Sequence, residues 1–229
     1  MPTPYPVAED PATDSDFGPN NELTTLRVGF DDDTLSLSFD YTIESNAIIF
    51  YLDLGLPGGV NDFARSRGYQ GAYPTMLTLG AEVDAIIGTY GAGGMNLYRV
   101  MDKNSQDITG SAQLYRTSYK DDGSPGTGRV NIPWSVFFPG GETPVPPGLN
   151  ISVAGIIRAN DDDLPAEYIP DNDGQLNTFV VIEVDPDGDG FPNPEPLMDS
   201  DGDGFSPYQG DCDDGDPLSF PMAEEICGD

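Results

Sequence analysis

Residues 23–41, LTTLRVGFDDDTLSLSFDY, decide the fold. Leu23 to Phe30 is a run of apolar and β-branched residues that the acidic triplet Asp31-Asp32-Asp33 ends. From Leu35 to Tyr41 the chain alternates strictly, with Leu35, Leu37, Phe39 and Tyr41 on one side and Ser36, Ser38 and Asp40 on the other. Side chains of an extended chain point alternately to its two faces, so a period of two marks a strand with one buried face. The pair of runs therefore predicts two antiparallel strands joined by a tight hairpin.

Working outward, Ala47 to Leu54 is a more continuous apolar run, suited to a strand covered on both sides, and it leads into the glycine-rich loop 55–59. Further strand signals lie at 75–79, 83–88, 95–101, 112–119, 128–132, 151–157 and 178–184, most of them separated by turn-forming residues. Trp134 to Phe138 fits a single helical turn. Many short strands and little helix predict an all-β, antiparallel β-sandwich. Residues 1–20, rich in Pro and Asp, read as an arm or linker, 21–184 as the sandwich, and 185–229 as a small irregular calcium-loop tail with one disulfide. From Asp185 onward Asp, Gly and Pro dominate, and such a segment cannot bury enough apolar surface to offset its ordering entropy.

The formal net charge of -31 argues against nucleic acid and against anionic membrane surfaces, which select clusters of Lys and Arg. No basic residue follows Arg158, so the late carboxylates point toward cations. Histidine is absent, which removes the usual general base, the usual activator of nucleophiles and the commonest zinc ligand. The two cysteines, Cys212 and Cys227, are expected to pair in an oxidising compartment. No apolar stretch has the length of a membrane span, and Met1-Pro2-Thr3-Pro4 lacks the features of a signal peptide. The expectation is an extracellular or cell-surface protein, here a fragment whose signal has been replaced by Met1.

Two passages of the tail share one spacing: Asp185-Pro186-Asp187-Gly188-Asp189-Gly190-Phe191 and Asp199-Ser200-Asp201-Gly202-Asp203-Gly204-Phe205. Carboxylates at positions one, three and five, a glycine at six and a carbonyl at seven wrap oxygen ligands around calcium. Two carboxylates roughly 6 Å apart in water repel by only about 0.7 kcal/mol, but three or four around one point need a cation. Hard oxygen ligands without His or thiolate favour Ca2+ over zinc or copper. Asn193 stands at position nine of the first loop. A helix-loop-helix calcium hand is excluded, since Pro196 and Gly210 occupy position twelve where a bidentate Glu is needed.

Residues 185–229 resemble the thrombospondin type 3 class of calcium repeats. Asp199 to Cys227 is more closely similar to a metal-binding repeat of bacterial extracellular proteins, with Asp-Gly-Asp-Gly-Phe, then Asp-Cys-Asp-Asp-x-Asp-Pro, then Pro-x-Ala-x-Glu-x-Cys. The resemblance implies metal ligands at Asp199, Asp201, Asp203, Asp211, Asp213 and Asp216, and a bridge between Cys212 and Cys227.

The region 23–184 more distantly resembles β-sandwich domains related to family-nine carbohydrate-binding modules and to the C-terminal domain of glucodextranase. The carrying features are Leu35 to Tyr41, Asn46 to Asp53, Ile132-Pro133-Trp134 and Val145-Pro146-Pro147-Gly148. This resemblance implies a glycan as partner, and a sugar platform needs exposed aromatic rings. Trp134 reads as core from its apolar neighbours, which leaves Tyr69, Tyr73, Tyr90 and Tyr98 as candidate ligand-binding residues. A glycosidase reading rests on paired carboxylates such as Asp53 with Asp62 or Glu82 with Asp84, and 40 acidic residues supply such pairs by chance. Asp53 and Asp62 read instead as supports of the glycine-rich loop or as holders of a structural calcium. The reading is therefore a secreted, non-catalytic, calcium-binding module. The alternative is a structural subunit of a calcium-stabilised surface or filament assembly, docking onto neighbouring protein subunits.

Overall fold

The structure, a computed structural model, describes residues 2–10, 14–62, 78–89, 95–101, 104–107, 121–158, 167–170, 178–194, 200–202, 205–207 and 210–221. The chain divides into two compact units, Met1–Pro192 and Asn193–Asp229. The first is a β-sandwich of two antiparallel sheets, as the alternation predicts.

One sheet has four strands: β1 (Tyr5–Glu9), β2 (Glu22–Phe30), β3 (Thr34–Thr42) and β10 (Gly126–Pro133), in the order β1-β2-β3-β10. The deciding stretch forms its central hairpin. Leu26 stands opposite Phe39, Val28 opposite Leu37 and Phe30 opposite Leu35. The turn closes through paired bonds between Asp31 and Thr34, and the Asp31 carboxylate accepts the N–H of Asp33 at 3.1 Å. Asp at the head of a turn does this because its short side chain reaches its own backbone two residues on.

The other sheet runs β12 (Glu167–Ile169), β11 (Asn150–Arg158), β4 (Ala47–Asp53), β7 (Ala85–Thr89), β8 (Met95–Met101), β9 (Asn104–Asp107), and β13 (Val180–Glu183) also pairs with β11. β4, the continuous apolar run, is buried from Ala47 through Leu52, so both its faces are covered. A separate two-stranded ribbon joins β5 (Val60–Asp62) to β6 (Thr78–Val83). Among the described residues there is one short helix, α1 (Trp134–Phe137), which follows β10 directly.

The two sheets meet at Phe39 of β3 and Phe50 of β4, whose ring centroids lie 4.6 Å apart. Glycines make this approach possible: a Cβ on Gly128 of β10 would overlap the Phe39 ring, and one on Gly155 of β11 would come within 2.5 Å of the Phe50 ring. The strict alternation of β3 would leave Ser36 and Ser38 on the solvent side, yet both are buried. The N-terminal segment covers them. Arg129 donates to the carbonyl of Pro2 at 2.6 Å, and the backbone of Thr3 passes over Gly29 so closely that no side chain fits there. Residues 5–9 of the expected arm pair as an edge strand, the place where prolines are tolerated.

The run 83–88 is broken at Asp84 into β6 and β7. Asp84 is 2% exposed, and one carboxylate oxygen accepts the N–H groups of Leu54 at 2.8 Å and Leu56 at 2.9 Å. Asp53 accepts the N–H of Gly55 at 3.0 Å. The glycine-rich loop is therefore held by Asp84 together with Asp53. The side chain of Asp62 and the expected strand 112–119 lie outside the described residues.

Candidate metal centres

The first acidic loop, through Pro192, lies in the first compact unit. Asp185 is the reason. Its carboxylate is 1% exposed, with Oδ1 accepting from Gly188 N–H at 3.0 Å and Asp189 N–H at 3.2 Å, and Oδ2 accepting from Gly190 and Gly148, each at 2.9 Å. Burial pushes this carboxyl up, but the N–H groups of Gly148, Gly190 and Gly188 outweigh burial and hold it below the usual aspartate value. Gly148 lies in the β10–β11 connection, so the same side chain folds the loop and anchors it to the sheet. Gly190, the position-six glycine, has φ +87° and packs against Thr143, which excludes any side chain there.

Asp185, Asp187 and Asp189 each bring a carboxylate oxygen to a common point, all within 4.8 Å of one another. Asp187 and Asp189 are exposed and spend one oxygen apiece on an N–H two residues on, at 3.2 and 2.8 Å. Oxygens sharing one calcium lie at most about 5 Å apart, because each Ca–O bond is about 2.4 Å. The donor set fits a hard divalent cation, with Asp187 and Asp189 presenting the accessible oxygens. Phe191 follows with its ring 45% exposed, and Asn193 lies in the second unit.

In the second unit, Gly202 at position four of the second loop has φ +82°, while Gly204 at position six lies outside the described residues. Phe205 stacks on Phe220 with centroids 5.7 Å apart and planes 2° apart, a small apolar centre for a segment that has little else. Asp211 is 6% exposed; Oδ1 accepts the N–H of Asp213 at 2.9 Å, while Oδ2 is enclosed without a hydrogen-bond partner. Asp213 and Asp216 are exposed and fold the following turns, Asp216 N–H donating to the Asp213 carbonyl at 2.9 Å. Among the described residues, Asp201, Asp211, Asp213 and Asp216 do not converge as a group of three. Asp199 and Asp203 lie outside the described residues.

The expected disulfide is not found. Cys212 is a free, exposed thiol whose Sγ lies 3.4 Å from Ser219 Oγ, and Cys227 lies outside the described residues. The turn 213–219 brings the Ser219 hydroxyl to Cys212.

Trp134 is core, 1% exposed, with its ring beside Phe30 and Phe138 and its Nε1 donating to the Asp31 carbonyl at 2.9 Å. An open groove of about 640 Å³ runs beside it, lined by Asp32, Asp33, Phe138, Glu142 and Thr143 among others. Tyr69, Tyr73 and Tyr90 lie outside the described residues, as does the side chain of Tyr98, whose backbone pairs with Ile86 and Asp107.

A second acidic group was not visible in the spacing. Asp10 and Asp14 of the N-terminal segment and Glu167 of β12 bring carboxylate oxygens within 4.8 Å of one another. Glu22, at the head of β2, lies beside them. Glu22 and Glu167 are 4% and 2% exposed. Burial first, then the charges of Glu22, Asp10 and Asp14, push the Glu167 carboxyl up to about 9. Burial and Asp14 likewise raise Glu22. Their sequence separation, from 10 to 167, hid them from any motif.

Neither a protein-family model nor a curated protein matches the chain. Among solved structures, a Bacteroides uniformis protein thought to bind carbohydrate aligns over 84% of this chain and 84% of its own, with 9% identity and a TM-score of 0.37. Acidic groups that can hold a metal ion, set in an all-β sandwich, are what fold and site define.

Proposed function

We propose that the protein is a secreted, non-catalytic module that binds calcium through its Asp-Gly-Asp-Gly loops. One observation carries the reading: Asp185, Asp187 and Asp189 converge within 4.8 Å around a glycine turn that their own backbone bonds fix. Extracellular calcium is abundant enough for loops of modest affinity, with Kd in the range of about 10⁻⁴–10⁻³ M. The absence of His from the whole chain favours binding over acid–base chemistry.

Isothermal titration of the chelator-treated chain with calcium is expected to show saturable binding that magnesium does not match, since magnesium keeps its water. The double variant Asp187→Asn/Asp189→Asn should lose the first-loop ion while the sandwich still folds, both residues being exposed. Binding unchanged in that variant would remove the first loop from the reading.

The same reading gives the sandwich a glycan partner, at the groove where the partly exposed Phe138 ring is flanked by Asp32, Asp33 and Glu142. A ring between hydrogen-bonding groups can stack on a pyranose while its neighbours bond the hydroxyls. A glycan array probed with and without calcium should retain the wild type and lose Phe138→Ala. An array that retains neither leaves calcium binding as the whole function.

A further inference from the structure

We propose that Asp10, Asp14, Glu22 and Glu167 form a calcium site inside the sandwich unit, distinct from the Asp-Gly-Asp-Gly loops, which ties the N-terminal segment and β2 to the edge strand β12.

Three observations carry it. Oxygens of Asp10, Asp14 and Glu167 already stand within 4.8 Å of one another, the span that a shared calcium allows. Glu167 is 2% exposed and Glu22 4% exposed, yet Oε1 of Glu167 and both oxygens of Glu22 have no hydrogen-bond partner. The Ser15 backbone N–H and the Glu167 carboxyl bear on Glu22, and the Asp10 carboxyl on Glu167, but buried carboxyls compensated mainly by other acids are costly, so such oxygens signal a ligand. Finally, the charges that bear on Glu167 are all negative: Glu22, Asp10 and Asp14. The adjacent Tyr168 faces Asp16, another acid. Among the described residues, none of the charges that bear on Glu167 is a Lys or Arg, so a cation would supply the compensating charge. All-oxygen donors without nitrogen or sulfur select calcium.

The position gives the ion a structural role. Glu167 opens β12, which ends the seven-stranded sheet, while Glu22 opens β2 of the other sheet. Asp10 follows β1, where its N–H bonds the Thr24 carbonyl at 3.0 Å. An ion here joins segments from both sheets across more than half the sequence. The exposed carboxylate of Asp14 marks the side from which it enters.

A proton held between Glu167 and its neighbours relieves the same crowding, and the experiment separates the two. Ions bound per chain are counted by equilibrium dialysis at about 1 mM calcium, an extracellular level. Melting of the sandwich is followed by Trp134, the one tryptophan of the chain and a core residue. Glu167→Gln is expected to bind one ion fewer than wild type, to melt higher than wild type in chelator, and to lose the part of the calcium-induced rise that this site supplies. Asp14→Asn, exposed and safe for folding, should weaken the same site by about tenfold or more. Asp187→Asn/Asp189→Asn should leave it intact. If Glu167→Gln and Asp14→Asn both bind as many ions as wild type with the same affinity, the acids share a proton and the proposal fails. If they lose an ion while the loop variant does not, this site stands and the loop reading falls.

Discussion

Phe39→Ala is expected to lower the stability of the sandwich unit by about 3–5 kcal/mol, the range for removing a buried aromatic ring from a packed core. Phe39 is fully buried between the sheets, with Phe50 at 4.6 Å and Tyr41 at 5.7 Å between ring centroids. Gly128 lies against its outer edge, so the neighbour facing the ring has no side chain to move into the space. The cavity would remain open, and its lining would lose its contacts on one side. Urea unfolding followed by Trp134 fluorescence measures the loss, since that indole reports the same unit. Phe39→Leu, which keeps part of the volume, should recover roughly half. A loss under about 1 kcal/mol for the alanine variant would mean that the two sheets do not pack through this pair.

In chelator, raising the pH from about 5.5 to about 8.5 should lower the melting temperature of the sandwich. Glu167 sets the sign: burial and the neighbouring acids hold its folded-state pKa near 9, against 4.5 in the unfolded chain. Between those values the folded state binds a proton that the unfolded state has released, so stability falls as pH rises through the window. Glu22 is shifted the same way and adds to the fall. With allowance for solvent screening the effect is about 2 kcal/mol, or roughly 4–8 °C for a domain of this size. Asp40 and Asp185 work in the opposite sense. Their folded pKa values lie below 3.8, so their stabilisation is present above that value and is lost as pH falls through the depressed one. Calorimetric melts across the range should therefore show a maximum near mildly acid pH, and Glu167→Gln should flatten its alkaline side. A melting temperature rising toward pH 8.5 in chelator would contradict the buried, unpaired placement of these glutamates.

The alternation of Leu35, Leu37, Phe39 and Tyr41 was enough to establish strand and buried face, because a pleated chain imposes a period of two on whatever covers it. The unbroken run of β4 announced a strand covered on both faces, and the Asp31–Asp33 triplet announced the hairpin turn. The Asp-Gly-Asp-Gly spacing was legible for a similar reason: the ligands of such a loop are neighbours in sequence, and Gly190 adopts the positive φ that its position requires. Local rules of this kind travel along the chain and can be read from it.

What escaped was every feature that depends on distant residues meeting. Residues 1–20 read as an arm or linker, yet residues 5–9 pair with β2, since an edge strand needs only one of its two hydrogen-bonding sides. Asp84 resembled any other acid until the fold brought Leu54 and Leu56 to its carboxylate. Cys212 and Cys227 are close in sequence, but the turn beyond Asp213 sets a serine beside Cys212. The clustered acids at 10, 14, 22 and 167 carry no motif at all. Composition and spacing determined a strand-built protein with closely spaced acids that can hold a metal ion; only the tertiary structure decided which carboxylates leave water together. The cost of burying a charge is set by its surroundings in space, and order along the chain does not record them.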